Sequence, residues 1–421
     1  MAASPNSGMY EPFIARYRQL LTSLVKIFPH VLALGLTSAC LALASSLAVL
    51  PAQGDPLDQW TMVPSGVTNG LRAIAYGSNQ FVAVGSTGVI LISSNALAWN
   101  AAASGVTTTL YGVTYGLGKF LAVGSSGVIL TSTNGTQWVS QTPKTPNDLL
   151  SVTYCPFGFF IGGRYGTLLS STNGTNWTFC PTGASESGGF VGVGYGLNQV
   201  YAGENANAPA LFWSTNGSTW FYETNVPVND QPQNFNGNFA GGNGRVVTLS
   251  SRDRFYVTPD GFNWTMTGIP TPTPPGFDYC FGLTFARNQF VAVGGNFNSP
   301  GRGVAASTNG INWMIRYNKS LEGRLLGVAY GSYRFVAVGD GGGILVSDPM
   351  LWLSNPSSEA GLPHATLNGE VGTTYQIQTA TNVAQPVWVN LGAVTNASET
   401  QDILLPLQGA SPTSFYRVST Q

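Results

Sequence analysis

Hydrophobic and polar positions alternate in short runs along most of this chain. Between residues 110 and 142 four runs follow one another: LYGVTYG at Leu110–Gly116, KFLAVG at Lys119–Gly124, GVILTST at Gly127–Thr133 and QWVSQT at Gln137–Thr142. A period of two over such lengths predicts β-strands, and the glycine-bearing gaps between them predict tight hairpins. The first run returns as LRAIAYG at Leu71, LLSVTYC at Leu149, FVGVGYG at Phe190, CFGLTFA at Cys280 and LLGVAYG at Leu325, with a degenerate copy, FNGNFAGG, at Phe235. Its third and fifth positions are small and its fourth is Ile, Val or Leu. Small side chains on one face and large ones on the other suit innermost strands crowded around a central axis.

The tryptophans give the period. Trp60, Trp99, Trp138, Trp177, Trp220, Trp264, Trp313 and Trp352 are separated by 39, 39, 39, 43, 44, 49 and 39 residues. About 40 residues with four short strands per repeat is the signature of a propeller blade, so the pattern predicts an all-β, seven-bladed β-propeller. The segment DQWTMV at Asp58–Val63 has a fourth-strand tryptophan and no preceding strands, whereas the last repeat loses the consensus after its third strand. The Trp60 strand is therefore expected to complete the blade begun at Leu325, which removes exposed sheet edges.

Before most of these tryptophans stands one phrase: STNGTQW at Ser132, STNGTNW at Ser171, STNGSTW at Ser214, STNGINW at Ser307 and TPDGFNW at Thr258. It falls between third and fourth strands. Asn or Asp bonds backbone amides across a turn, Gly supplies positive φ, and Trp packs over the sheet. Asn134, Asn173, Asn216, Asp260 and Asn309, with Trp99, Trp138, Trp177, Trp220, Trp264 and Trp313, are thus expected to be structural. The phrase resembles the Asp-box, or BNR, repeat of sialidases and related propellers, with Asn where Asp is usual except at Asp260. In that family the box lies away from the catalytic centre. The whole-blade consensus is similar to the secreted bacterial propellers grouped with the photosystem II stability/assembly factor. That resemblance covers roughly Trp60–Trp352 and implies a fold more than a task, since one propeller serves many functions.

The period fails at both ends. Arg16, Arg18 and Lys26 precede an uncharged stretch, VLALGLTSACLALASSLAVL at Val31–Leu50, followed by small residues at Ala52–Gly54. Residues 1–54 read as a signal peptide or, if uncleaved, an N-terminal anchor. Either implies export to the periplasm, the cell surface or the medium, with membrane contact only through that segment if it stays. The propeller is assigned 55–352. Residues 353–421 hold alternating runs such as YQIQTATN at Tyr375, VWVNLG at Val387 and FYRV at Phe415, a small β-sandwich-like domain that resembles the short terminal β-domains of exported bacterial proteins. So few residues make a marginal core.

Composition narrows the chemistry. Charged residues are 8% of the 421, and the net charge is −1. No basic face is available for nucleic acid. Cys155, Cys180 and Cys280 remain after the targeting segment, an odd number without metal-ligand spacing, so no metal and no cofactor is expected. The two histidines are His30 and His364, which leaves the propeller with none and excludes a Ser-His-Asp or Cys-His arrangement there. The R-I-P sequence of sialidases is missing. Asp148, Asp278 and Glu322 sit just before first strands, near one channel mouth, and are the catalytic candidates for a glycan-cleaving hydrolase, which needs two facing carboxylates.

Loop lengths point to a working face. Strands alternate direction, so second-to-third turns share a face with the links between blades. All insertions fall there: Glu204–Ala210, Thr224–Asn234, Gly268–Asp278 and Gly295–Gly303, clustered over blades 4–6, and a ligand is expected on this face over blades 3–6. Arg164, Glu204, Arg252, Asp253, Arg254, Arg302 and Asp340 are placed on that face and are the ligand-binding candidates, arginine being suited to carboxylate and phosphate. The leading reading is a non-enzymatic binding or assembly scaffold for a protein or glycan; the hydrolase is the alternative.

Overall fold

The computed structural model describes residues 56–184, 188–205, 210–223, 238–250, 254–269, 278–296, 301–320, 323–350, 352–359, 362–369, 372–380, 387–398, 400–405 and 415–420. Gln53–Leu351 form one compact unit, and Trp352–Gln421 fall in a second.

The first unit is a seven-bladed β-propeller. Each blade is a four-stranded antiparallel sheet, and the innermost strands are Leu71–Gly77, Leu110–Gly116, Leu149–Cys155, Gly189–Gly196, Phe239–Gly242, Tyr279–Ala286 and Leu325–Gly331, taken as blades 1 to 7. Six blades draw their strands from consecutive sequence. In blade 7 the outer strand is Trp60–Val63, paired with Ile344–Ser347 in the register Trp60↔Ser347 to Val63↔Ile344. The expected closure is what the chain does. Trp352, read as the last post of the repeat, instead opens the strand Trp352–Glu359 of the second unit.

The core is a ring of layers between blades, not a single centre. Ile74 of blade 1 packs with Val336, Val338 and Ile344 of blade 7, while Ala73 and Ala75 pack towards Leu110, Val113 and Phe120 of blade 2. The large and small faces of each inner strand thus meet opposite neighbours. Small residues are required where the strands converge: a Cβ on Gly327 would lie 3.0 Å from the Ala73 Cα, and one on Gly77 would lie 2.0 Å from the Tyr115 ring. Burying these layers is the main favourable term in a chain so poor in charge.

In every blade except the third, the first-to-second turn is a two-residue hairpin with both central residues at positive φ, as at Ser78–Asn79, Leu197–Asn198, Arg287–Asn288 and Ser332–Tyr333. The second unit contains two three-stranded antiparallel sheets. One is ordered Trp352–Glu359, Leu362–Asn368, Thr400–Leu404, and the other Val389–Thr395, Thr374–Ala380, Phe415–Thr420. Among the described residues no helix is long and apolar enough to cross a membrane. The predicted signal segment lies outside the described residues.

Candidate functional site

The repeated turn can be followed atom by atom. In blade 2, Ser132 Oγ donates to Asn134 Oδ1 at 3.2 Å, and that oxygen accepts the N–H groups of Thr136 at 3.0 Å and Gln137 at 2.9 Å. Trp138 Nε1 donates to the Gly135 carbonyl at 2.8 Å. Asn173, Asn216, Asp260 and Asn309 accept the equivalent pair of amides in their own turns. Asn95 does the same in SSNALAW, where Ala96 holds the glycine position at φ 66°. In blade 7 the turn is divided between the two ends of the propeller. Trp60 Nε1 donates to the Leu57 carbonyl at 2.6 Å, and the Asp348 N–H donates to the Gln59 carbonyl at 3.0 Å. The side-chain oxygens are engaged by backbone amides, so each of these side chains braces the hairpin between the third and fourth strands of its blade.

Asp260 is held well below the usual carboxylate range by the side-chain amide of Asn263, then by the backbone N–H groups of Asn263 and Phe262. A depressed folded value means that the contribution is present above the unfolded pKa of about 4 and is lost as pH falls below it. Asp260→Asn, which writes the residue of the sister turns, is therefore expected to narrow the fall in melting temperature between pH 6 and pH 2.5. Calorimetry at both pH values checks this; an unchanged interval would show that the carboxylate does not contribute.

On the face of links and second-to-third turns, the candidate charges find one another. Arg164 Nε lies 3.3 Å from Asp148 Oδ2, and Asp148 Oδ1 also accepts the Ser126 N–H at 3.0 Å. Arg324 Nε lies 2.7 Å from Asp340 Oδ2, and its Nη2 lies 3.3 Å from Oδ1. These pairs occupy the same two places of their blades with the signs exchanged. The backbone carries the same bond in both, Arg164 N–H to the Asp148 carbonyl and Asp340 N–H to the Arg324 carbonyl, each at 2.9 Å. Asp278 accepts a hydrogen bond from Asn296 Nδ2.

Two ligand candidates are not on the surface. Glu204 lies within the strand Gln199–Asn205 and is 3% exposed. Arg302 lies within Gly301–Ser307 and is 5% exposed, with Nη1 2.8 Å from Met62 Sδ of the closing strand. Strands of blades 4 and 6 run longer than the consensus, so residues counted as turn belong to the ladder. Arg254 begins the strand Arg254–Thr258 and is exposed, near Met266. Arg252, Asp253 and Glu322 lie outside the described residues, as do most residues of the insertions.

A feature that sequence reading passed over lies at the centre of this face. The pairing of innermost with second strands shifts register between Leu71 and Ala73, Leu110 and Gly112, Leu149 and Ser151, Phe190 and Gly192, Cys280 and Gly282, and Leu325 and Gly327. Each shift leaves the second residue of the repeated run unpaired, and a bulge of this kind re-aims its side chain. Those residues are Arg72, Tyr111, Leu150, Val191, Phe281 and Leu326. All line the central channel, a cavity of about 470 Å³ walled by all seven blades. Arg72 is exposed, while Tyr111 accepts a hydrogen bond from Ser125 Oγ at 3.3 Å. The Arg324 guanidinium stands 5.6 Å from the centre of the Phe281 ring. The signal was present in the repeat, since the second letter of the first run changes from blade to blade while its neighbours keep their class.

Cys155, Cys180 and Cys280 are free thiols. Burial pushes the thiols of Cys155 and Cys180 above their ordinary range, which disfavours the reactive thiolate. Among the described residues no three His, Cys, Asp or Glu side chains gather as a metal site would require.

Fold and site together define a closed seven-bladed propeller whose loop face opens on a channel ringed by variable side chains. No family model matches the chain, and no curated protein matches it. Solved propellers do. YCF48 from Cyanidioschyzon merolae is similar at a TM-score of 0.53 and 17% identity, over 68% of this chain and 98% of that one. YCF48 bound to a D1 peptide is similar at 0.53 and 13%, over 72% and 99%. A catalytically inactive virginiamycin B lyase from Staphylococcus aureus with quinupristin is similar at 0.56 and 12%, over 68% and 98%. At these identities the likeness shows the propeller fold.

Proposed function

We propose that this protein is an exported, non-enzymatic scaffold that binds a protein or peptide on its loop face, centred on the channel mouth. The carrying observation is the ring of bulged residues, Arg72, Tyr111, Leu150, Val191, Phe281 and Leu326, presented around one opening on a rigid frame. A mixture of one cation, two aromatics and aliphatic side chains is the composition of a protein-recognition centre. The YCF48 structure with a D1 peptide is a precedent for peptide capture on a similar fold. The repeated turns are, in this reading, Asp-box turns written with Asn, and the second unit is an accessory terminal domain. A glycan partner on the loop face remains part of the reading only through the insertions.

Hydrolysis has less support. Asp148 is held by Arg164 and Ser126, and Asp278 by Asn296, so the contacts of both acids among the described residues are those of braced loop carboxylates and not of the opposed pair a hydrolase uses. Catalysis through histidine, the residue whose loss inactivates the lyase variant, has no counterpart here, since residues 53–351 contain none.

The test is capture from envelope extract by immobilised protein, native against Arg72→Glu/Leu150→Glu. Both positions are outside the buried core, so the melting temperature should hold within about 1 °C, as for surface changes of under about 0.5 kcal/mol. A specific partner retained at least tenfold less by the variant is the expected result. Equal capture would refute the mouth as the binding centre.

A further inference from the structure

Blades 4 and 5 carry, at the end opposite the channel mouth, an aromatic group that the fold does not require. Trp213 pairs across the sheet with Phe221, and their rings stack with centres 4.6 Å apart at 24°. Phe262, in the third-to-fourth turn of blade 5, meets Trp213 edge-on at 5.1 Å and 83°. Phe221 is 47% exposed and Phe262 45%, with Trp213 half-buried behind them.

The repeat supplies its own control. The cross-strand pair at the place of Trp213–Phe221 is Thr131–Val139 in blade 2 and Ser170–Thr178 in blade 3. The place of Phe262 is held by Leu97, Thr136, Thr175, Ser218 and Ile311 in blades 1, 2, 3, 4 and 6. Those blades fold without an aromatic ring there. Three aromatic departures that touch one another across a blade boundary therefore answer to something other than folding.

We propose that this cluster is a binding platform for a neutral carbohydrate. Stacking on Trp213 fixes the Phe221 ring and leaves its other side towards solvent. The axial C–H bonds of a pyranose ring carry slight positive charge and are attracted to the negative face of such a ring. The turns beside it bring Ser218, Thr219 and Asn263, uncharged donors and acceptors suited to sugar hydroxyls. The nearest carboxylate of those turns, Asp260, is occupied by Phe262 N–H, Asn263 N–H and Asn263 Nδ2. Size decides against a protein. The two exposed rings offer about 100 Å² each, against about 800 Å² per partner in a stable protein interface. A saccharide of a few rings fits that area.

Affinity gel electrophoresis of the full chain tests this, with hydroxyethylcellulose, laminarin, glucomannan or glycol chitin cast into the gel. The native protein is expected to be retarded by at least one of them. Phe221→Thr/Phe262→Ser, which writes residues of the sister blades, should weaken retardation at least tenfold at an unchanged melting temperature. Arg72→Glu, at the opposite end, should keep the native retardation once its mobility is referred to a gel without polysaccharide, which corrects for its added negative charge and keeps this test separate from that of the channel mouth. If the double variant melts lower, Phe262→Ser alone decides: weaker retardation supports the platform and equal retardation overturns it. No retardation of the native protein in any gel overturns the proposal. Equal retardation of a well-folded double variant, or a concentration-dependent dimer lost in it without any polysaccharide effect, does so too.

Discussion

A chain without residues 56–63 is expected to lose its cooperative thermal transition and to aggregate. Those residues supply the outer strand of blade 7, and their removal leaves Ile344–Ser347 as a bare edge, the template for pairing with other chains. The damage is not confined to the ladder. Val63 is buried with Val336, Val338 and Ile344, Leu57 is wholly buried, and Arg302 loses Met62 as a cover. Arg316 also loses Asp58, which lies 3.2 Å from it. Removing the two buried side chains at about 2–5 kcal/mol each, together with the ladder bonds of a whole strand, takes away an amount comparable to the roughly 5–15 kcal/mol by which a domain is stable. Circular dichroism melts and size-exclusion chromatography would show it. Adding a synthetic peptide of residues 55–65 should restore part of the transition. A truncated chain that melts like the native one would mean that the ring closes without this strand.

Gly127→Ala should be nearly as damaging from a single methyl group. Gly127 has φ +73°, a backbone region costly for any residue with a Cβ. The added carbon would also stand 1.8 Å from the Thr145 carbonyl oxygen of the link to the next blade, and backbone cannot swing aside as a flexible side chain can. Gly88 meets the Val106 carbonyl at 2.0 Å and Gly342 the Val67 carbonyl at 2.1 Å, so the same contact recurs between other blades. We expect a loss of about 3 kcal/mol or more, combining overpacking with the conformational penalty. That corresponds to a fall of roughly 6 °C in melting temperature for a unit of this size. Gly118→Ala is the control, since its φ is +72° and nothing lies within 4 Å of its Cβ. It should cost no more than about 1–2 kcal/mol. If the two variants melt alike, the link contact contributes nothing.

The repeat made the architecture legible because every blade solves the same packing problem. The alternation in the inner strands, the spacing of the tryptophans and the orphan strand at Trp60 suffice for seven blades and their closure. Less could be read where the backbone departs from the residue's own preference. Ala96 sits at φ 66° in a turn where its sisters have glycine, and Ser332–Tyr333 turn a hairpin without glycine, because the paired strands on either side impose a conformation whose cost of about 1–2 kcal/mol per residue the blade offsets. Glu204 and Arg302 were misplaced for a related reason. Insertions lengthen strands before they lengthen loops, so charged residues near them end in the ladder. The pairing of Asp148 with Arg164 was hidden because the partners are 16 residues apart and belong to different turns. It becomes visible only beside Arg324 and Asp340, the same pair with its signs reversed. The channel ring escaped because a bulge is a matter of register, which no single strand records.

The divided blade bears on how the protein reaches its native state. Trp60–Val63 is made before any other strand of the propeller, and its partner, Ile344–Ser347, is the last of the ring to be made. During synthesis the six continuous blades can assemble in order from neighbours, while the earliest strand waits without a mate. Ring closure is therefore the pairing of greatest sequence separation, a slow step in a chain otherwise dominated by local hairpins. Until it occurs, one apolar strand at each end of the nascent propeller is open to capture by another chain.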